Sequence, residues 1–284
     1  MPEYNDGSEY AMKNRDINNI LEQNKKFVEA IGQEFFDGLG SKHEPKYMWI
    51  GCADARVPSN ELCGEKPGSI FVVRNVANMV VSTDVNLLSA LQFAVTTLGV
   101  KHIIVCGHYD CGGIRAAMNK ANVGAPLSLW LRNIKDVYRT HKEELNGIED
   151  PEKRHRRFVE LNVIEQCVNL FKTEVIQKTR IDTFLDPECN FPAPRIHALV
   201  YDPMTGYLQN LNVDFSEYLG DLKDIYELYN PPDYIKEAEL LLDAKSSTEE
   251  EDAPSLEGID KSSSPADGLD AVWEFLGIKK TDGS

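Results

Sequence analysis

Hydrophobic and polar positions along the chain repeat with two different periods. Residues 47–50, 68–76 and 102–106 carry apolar, largely β-branched runs, the pattern of strands buried on both faces of a parallel sheet. Residues 83–98 instead repeat Val85, Leu88, Leu91, Val95 and Leu98 at helical spacing. Asp84 is placed to accept the first backbone amides, and Gly99 to end the helix. This is a strand, helix, strand crossover. Residues 17–36 predict a helical arm with Ile17, Ile20, Leu21, Asn24, Phe27, Val28 and Ile31 on one face. Residues 127–145 and 151–179 also predict helices, Pro151 suiting a first turn. The segments 195–201 and 207–213 flank a turn signal at 202–206, so they predict paired strands extending the sheet at an edge. Residues 219–229 and 234–242 predict two more helices around Pro231 and Pro232, and residues 183–194 a proline-bearing insert. The expected fold class is α/β: a mainly parallel β-sheet flanked by helices, with an N-terminal helical arm.

Three regions follow. Residues 1–242 are expected to form one folded domain, and residues 243–268, rich in Ser, Glu, Asp and Pro, have too little apolar content to offset chain entropy and read as a disordered acidic linker. Residues 269–284 recover a short amphipathic helix through Leu269, Val272, Trp273 and Leu276, expected to dock within the oligomer.

With 284 residues and 42% hydrophobic content, the chain can build a real core. Acidic residues outnumber basic ones 46 to 30, a formal charge of −16, which argues against nucleic acid and anionic membrane as partners. The basic cluster Lys153, Arg154, His155, Arg156, Arg157 reads as a solvated helix face rather than an anion site. No apolar run approaches 18 residues, and the first residues lack a signal-peptide core or an Arg-rich transit pattern. A cytoplasmic protein is expected, an organelle matrix remaining open. Six cysteines in such a chain point to reduced thiols and metal rather than a disulfide framework. Cys106 and Cys167 read as core; Cys63 and Cys189 fall in irregular segments without a role.

The reactive residues cluster at two places. Gly51 ends the first strand ahead of Cys52, Asp54 and Arg56, while Gly107 breaks a later strand ahead of His108, Tyr109, Asp110 and Cys111. Gly112 and Gly113 then supply backbone freedom before a helix from Ile114. Both clusters sit at carboxyl ends of parallel strands, the edge where ligands bind. Zinc suits the residue types, because a borderline-soft dication prefers thiolate and imidazole. His108 and Cys111 can share one turn and Cys52 can supply a third ligand, leaving a fourth position open. Two other readings stand beside this: buried structural residues, or a Cys52–Cys111 disulfide under oxidising conditions.

The segments CADARVP, PGSIFVVRNVANMV and CGHYDCGG resemble the β-class carbonic anhydrases, and the resemblance runs from about residue 17 to about residue 213. It implies one zinc per subunit on Cys52, His108 and Cys111, with Asp54 and Arg56 as a catalytic dyad and Gly112 and Gly113 as supporting backbone. The family often has serines on either side of that aspartate, where Ala53 and Ala55 stand here. The implied reaction is reversible hydration of CO2 to bicarbonate and a proton, in a homodimer or higher oligomer. Two thiolates cancel the dication's charge, so such a zinc is a weaker Lewis acid than one on three histidines; an Asp54 carboxylate aimed by a forked Arg56 compensates. Trp49, Arg74 and Tyr201 resemble the non-catalytic bicarbonate pocket of the regulated (type II) members, in which Asp54 leaves Arg56 and takes the open metal position. Trp49 and Tyr201 read equally as strand aromatics, and Arg74 as a dimer brace. His43 and His102 are proton-shuttle candidates by residue type. A catalytically inactive zinc-binding bicarbonate sensor or scaffold is the alternative, opposed by the intact Asp54 and Arg56. A different zinc hydrolase is opposed by the lack of a glutamate beside His108.

Overall fold

The computed structural model describes residues 7–119, 123–186, 192–213 and 225–226, and the chain falls into two units, Met1–Glu44 and Pro45–Ser284. In the first unit, α1 (Gly7–Ile31) and α2 (Gln33–Ser41) are separated by Gly32 at φ 88°. The arm therefore begins ahead of Ile17 and breaks where an unbroken helix to residue 36 was expected. Phe27 meets Phe36 edge-on at 6.1 Å, while Ile17, Ile20 and Leu21 are exposed.

The second unit is built on β1 (Tyr47–Cys52), β2 (Ile70–Asn75), β3 (His102–His108), β4 (Arg195–Tyr201) and β5 (Leu208–Asn210). Their order is β2-β1-β3-β4-β5, parallel except for the edge strand β5. Successive side chains of a strand point to opposite faces. Met48, Ile50, Ile103, Val105, Ala198 and Val200 enter the larger core; Trp49, Ile104 and Cys106 form a second cluster with Val57. Burial on both faces explains why the central strands read as unbroken apolar runs.

Both central strands run further than their sequence suggests. β1 continues through Gly51 to Cys52, and β3 through Gly107 to His108. Gly107 does not break the strand. A Cβ there would meet Val163 Cγ2 at 2.5 Å, so the glycine admits the helix packed above it.

That helix is α8 (Pro151–Phe171), capped by Asp150, whose carboxylate accepts from the amides of Glu152 at 2.8 Å and Lys153 at 3.0 Å. The remaining helices of this unit are α3 (Ser59–Cys63), α4 (Val85–Gln92), α5 (Gly112–Met118), α6 (Leu127–Thr140), α7 (Lys142–Gly147) and α9 (Glu174–Leu185). Asp84 caps α4 as expected, a π-turn at Phe93–Thr97 extends it, and Gly99 follows at φ 64°. The buried stripe is Leu87, Leu91, Ala94 and Val95, whereas Val85, the first residue after the cap, is 72% exposed. Cys106 and Cys167 are fully buried in the core, and Cys63 closes α3 rather than lying in an irregular segment.

Polar residues on α8 serve the buried segment 77–80, which sheet pairing leaves unsatisfied. Asn162 donates to Ala77 O at 3.1 Å, Gln166 Oε1 accepts from Val80 N at 2.8 Å, and Asn169 donates to Val80 O at 3.3 Å. The cluster 153–157 is a solvated face only at Lys153 and Arg156, which are exposed; most of its side chains are tied to other groups. His155 is buried, Arg154 Nε donates to Ile148 O at 2.8 Å, Arg156 stacks 3.5 Å from the Tyr109 ring centroid, and Arg157 donates to Glu144 and Glu160. Only a fold that brings these partners from distant elements reveals that role.

The expected insert at 183–194 is partly helical, because α9 runs to Leu185, and Thr183 Oγ1 accepts from Ala193 N at 2.8 Å. Residues 234–242, 243–268 and 269–284, most of 219–229, and Cys189 lie outside the described residues. No helix among the described residues is long and apolar enough to cross a membrane.

Candidate metal centre

The parallel sheet carries β1 and β3 side by side, pairing Gly51 with Cys106, so both chains leave the sheet at the same edge. Cys52 is the last residue of β1 and His108 the last of β3, and Cys111 caps α5 three residues later. The turn between them is made at Asp110, at φ 57°, a left-handed conformation that aspartate tolerates better than most residues. Neither Gly112 nor Gly113 has a left-handed backbone; both lie in α5, and Gly113 is needed because a Cβ would meet Val76 Cγ1 at 2.7 Å.

One donor atom from each of Cys52, His108 and Cys111 lies within 4.8 Å of the others, and all three residues are buried. The two Sγ atoms are 3.9 Å apart, both thiols free, so the disulfide alternative does not hold. Cys52 is held far below the usual thiol range, first by the hydrogen bond from Cys111, and the same pairing raises Cys111. His108 Nδ1 lies 3.0 Å from the Tyr109 carbonyl, which can only accept, so Nδ1 carries the hydrogen and Nε2 a lone pair. That Nε2 is buried without a hydrogen-bond partner.

A buried, unpartnered imidazole lone pair facing two thiols, one already acidic, is a donor set suited to zinc. The Tyr109 carbonyl, accepting from His108 Nδ1, fixes the ring and turns Nε2 toward the two thiols.

Beside this triangle, Arg56 forks onto Asp54, with Nε 3.0 Å from Oδ1 and Nη2 2.7 Å from Oδ2. The Arg56 hydrogen bonds hold the Asp54 carboxyl well below the usual range and raise the guanidinium. Asp54 Oδ2 is 3.7 Å from His108 Nε2. Arg74 grips the backbone here, its Nε donating to Cys52 O at 2.9 Å and its Nη2 to Asp54 O. Trp49 and Tyr201 belong to the second apolar cluster, and the buried Trp49 Nε1 has no hydrogen-bond partner.

Of the shuttle candidates, His43 lies in the first unit, and His102 begins the strand that His108 ends. Six residues at about 3.3 Å put His102 roughly 20 Å from the triangle, too far to pass a proton directly. His102 pairs instead with His197, 3.1 Å between ring nitrogens. Residues to which the sequence analysis assigned no part in the site also reach it. Asp110 accepts from Arg56 and Arg115, Arg115 is bound to Glu152, and the His155 ring lies 3.3 Å from Cys111 O. Arg115 carries a faint signal, one helical turn beyond Cys111; Glu152 and His155 carry none, being about forty residues away. A separate cavity of about 980 Å³, lined in part by Val80, Leu88, Val137 and Lys172, contains none of these groups.

The family model for carbonic anhydrase matches residues 47–208, a span that contains the metal triangle and the dyad. A carbonic anhydrase of Emericella nidulans is 44% identical over 212 residues, covering 74% of this chain and 89% of the relative. The fold is similar to that of two tetrameric β-carbonic anhydrases of Sordaria macrospora, with TM-score 0.63, 31% identity and coverage of 70% of this chain and 98% of that one. It is also similar to a Coccomyxa β-carbonic anhydrase in complex with acetazolamide, with TM-score 0.63, 32% identity and coverage of 69% and 86%. Family match, relatives and fold agree, and the chain belongs to the carbonic anhydrase family, in its β class.

Proposed function

We propose that this enzyme interconverts CO2 and bicarbonate with one zinc held by Cys52, His108 and Cys111, and that Asp54 and Arg56 form its catalytic dyad. The buried triangle of two thiols and an unpartnered imidazole nitrogen, 3.7 Å from a forked carboxylate, carries this reading. Zinc supplies the Lewis acidity that makes water nucleophilic near neutral pH. Asp54, its Oδ2 3.7 Å from His108 Nε2, would offer the acceptor that orients the attacking water. Arg56 keeps Asp54 ionised and fixed in direction, its guanidinium fork matching the two carboxylate oxygens.

Bicarbonate regulation at Trp49, Arg74 and Tyr201 is part of the same proposal. An indole N–H buried without a partner is costly unless something accepts from it, and an anion would. Arg74 spends its donors on the carbonyls of Cys52 and Asp54, so an anion competing for Arg74 loosens the backbone that aims the dyad. We propose a homodimer or higher oligomer as the working assembly, and a cytoplasmic location.

Stopped-flow CO2 hydration on zinc-loaded Asp54→Asn tests the dyad. The expected result is a loss of turnover of about a hundredfold or more with zinc retained, a typical scale for acid-base and positioning groups. Wild-type turnover with zinc in place rules the dyad out, and zinc binding without CO2 hydration in the wild type favours the sensor alternative.

A further inference from the structure

Arg56 is half exposed, lies outside any helix or strand, and carries a long side chain with many rotamers, yet its function requires a single direction. Its fork toward Asp54 uses Nε and Nη2. The other edge of the guanidinium is taken as well, with Nη1 3.0 Å from Asp110 Oδ2 and Nη2 3.2 Å from the Asp110 carbonyl. The left-handed backbone of Asp110, φ 57°, turns its carbonyl and its carboxylate to the same side. The remaining oxygen, Asp110 Oδ1, accepts from Arg115 Nη2 at 3.0 Å, and Arg115 forks onto Glu152 at 2.8 and 3.1 Å. Charges alternate along the string Asp54, Arg56, Asp110, Arg115, Glu152, which ties the dyad to α5 and to the first turn of α8.

We propose that Asp110, held by Arg115 and through it by Glu152, is a positioning residue that fixes Arg56 in the plane needed for its pair with Asp54. The inference rests on the dyad reading above. Exposed ion pairs contribute little stability, so the string acts through geometry: two forks on opposite edges leave the guanidinium no rotation about its long axis.

Stopped-flow CO2 hydration on zinc-loaded protein tests this with Asp110→Asn, which tolerates the same backbone conformation, with Arg115→Met, and with Glu152→Gln on the exposed first turn of α8. Arg139→Met, which removes an unrelated surface ion pair with Asp136, is the control. Asp110→Asn and Arg115→Met should each lower kcat about tenfold, the scale of lost outer-shell partners. KM should stay level, so that kcat and kcat/KM fall together. Glu152→Gln should give a smaller fall in the same direction. The Asp110→Asn, Arg115→Met double variant should fall no further than the worse single one, because both cut one string. Arg115→Lys should recover most of the loss, and zinc content and thermal midpoint should match the control. A kcat within twofold of wild type in both Asp110→Asn and Arg115→Met overturns the proposal, as does a loss that follows zinc release or unfolding. If those variants are silent while Asp54→Asn is inactive, the dyad stands and the string falls. An active Asp54→Asn removes the dyad itself.

Discussion

Cys52, His108 and Cys111 converge because two parallel strands end in register, and the chemistry of each then depends on what lies within a few ångströms. The thiol of Cys106, two residues before His108, shows the contrast: burial first, with Cys63 and Cys52 adding to it, pushes it far above the usual range, while Cys52 is driven down first by its hydrogen bond with Cys111. Residue types and spacing made the candidate ligands legible, since a cysteine and a histidine at strand ends survive any small error in strand length. The reason for Gly51 was not legible. A Cβ there would meet Trp49 Nε1 at 2.2 Å, so the glycine makes room for the buried indole N–H at the place proposed for bicarbonate. Trp49→Phe removes that donor, and the bicarbonate concentration for half inhibition should rise about tenfold, the effect of one lost hydrogen bond to an anion. Inhibition assays giving an unchanged value, or no bicarbonate inhibition in the wild type, contradict the regulatory pocket. Asp110 was visible as a letter in the motif but not as a second fork on Arg56, because Arg115 and Glu152 meet it only after α8 folds back across β3.

Elements with a single strong period were the most legible. The strands, the capped α4, the edge pair β4 and β5, and the helix starting at Pro151 follow from apolar spacing and end signals. Glycines misled where close packing, not a turn, was their purpose, as at Gly107. The polar face of α8 was opaque because its partners are buried backbone groups at 77–80 and charged residues on other elements. On the opposite face of the sheet, His102 and His197 form a pair whose pKa values are both lowered, first by burial and then by charge: Arg195 and Lys101 on His102, and His102 itself and Arg195 on His197. Depressed histidines are neutral in the folded chain at pH values where the unfolded chain, near 6.5, already binds protons. Their contribution is therefore complete above about pH 6.5 and is lost as the pH falls toward the lower folded values. Unfolding stability measured between about pH 5 and 8 should decline on the acid side, and His197→Gln should flatten that decline. The buried His155 is depressed too and accounts for slope that remains. An identical slope in His197→Gln would show that the pair is not responsible.

At the scale of the whole molecule, the fold class was legible from the alternation of strands and helices, and the reaction from the resemblance of three motifs. Assembly was not, because an interface leaves no period of its own. The exposed stripe of Ile17, Ile20 and Leu21 on α1 has apolar area to gain by meeting a partner. We propose that residues 243–268 act as a linker and that residues 269–284 dock within the oligomer. Deleting everything after Asp243 should then lower the molar mass of the assembly in light scattering or reduce its thermal midpoint; two unchanged values reject that docking. Zinc-edge X-ray absorption on freshly purified, reduced protein tests whether Cys52, His108 and Cys111 hold a zinc ion. It should show about one zinc per chain, with two sulfurs at about 2.3 Å and one imidazole nitrogen at about 2.0 Å. A protein without zinc, or a shell of nitrogen and oxygen alone, would contradict the account.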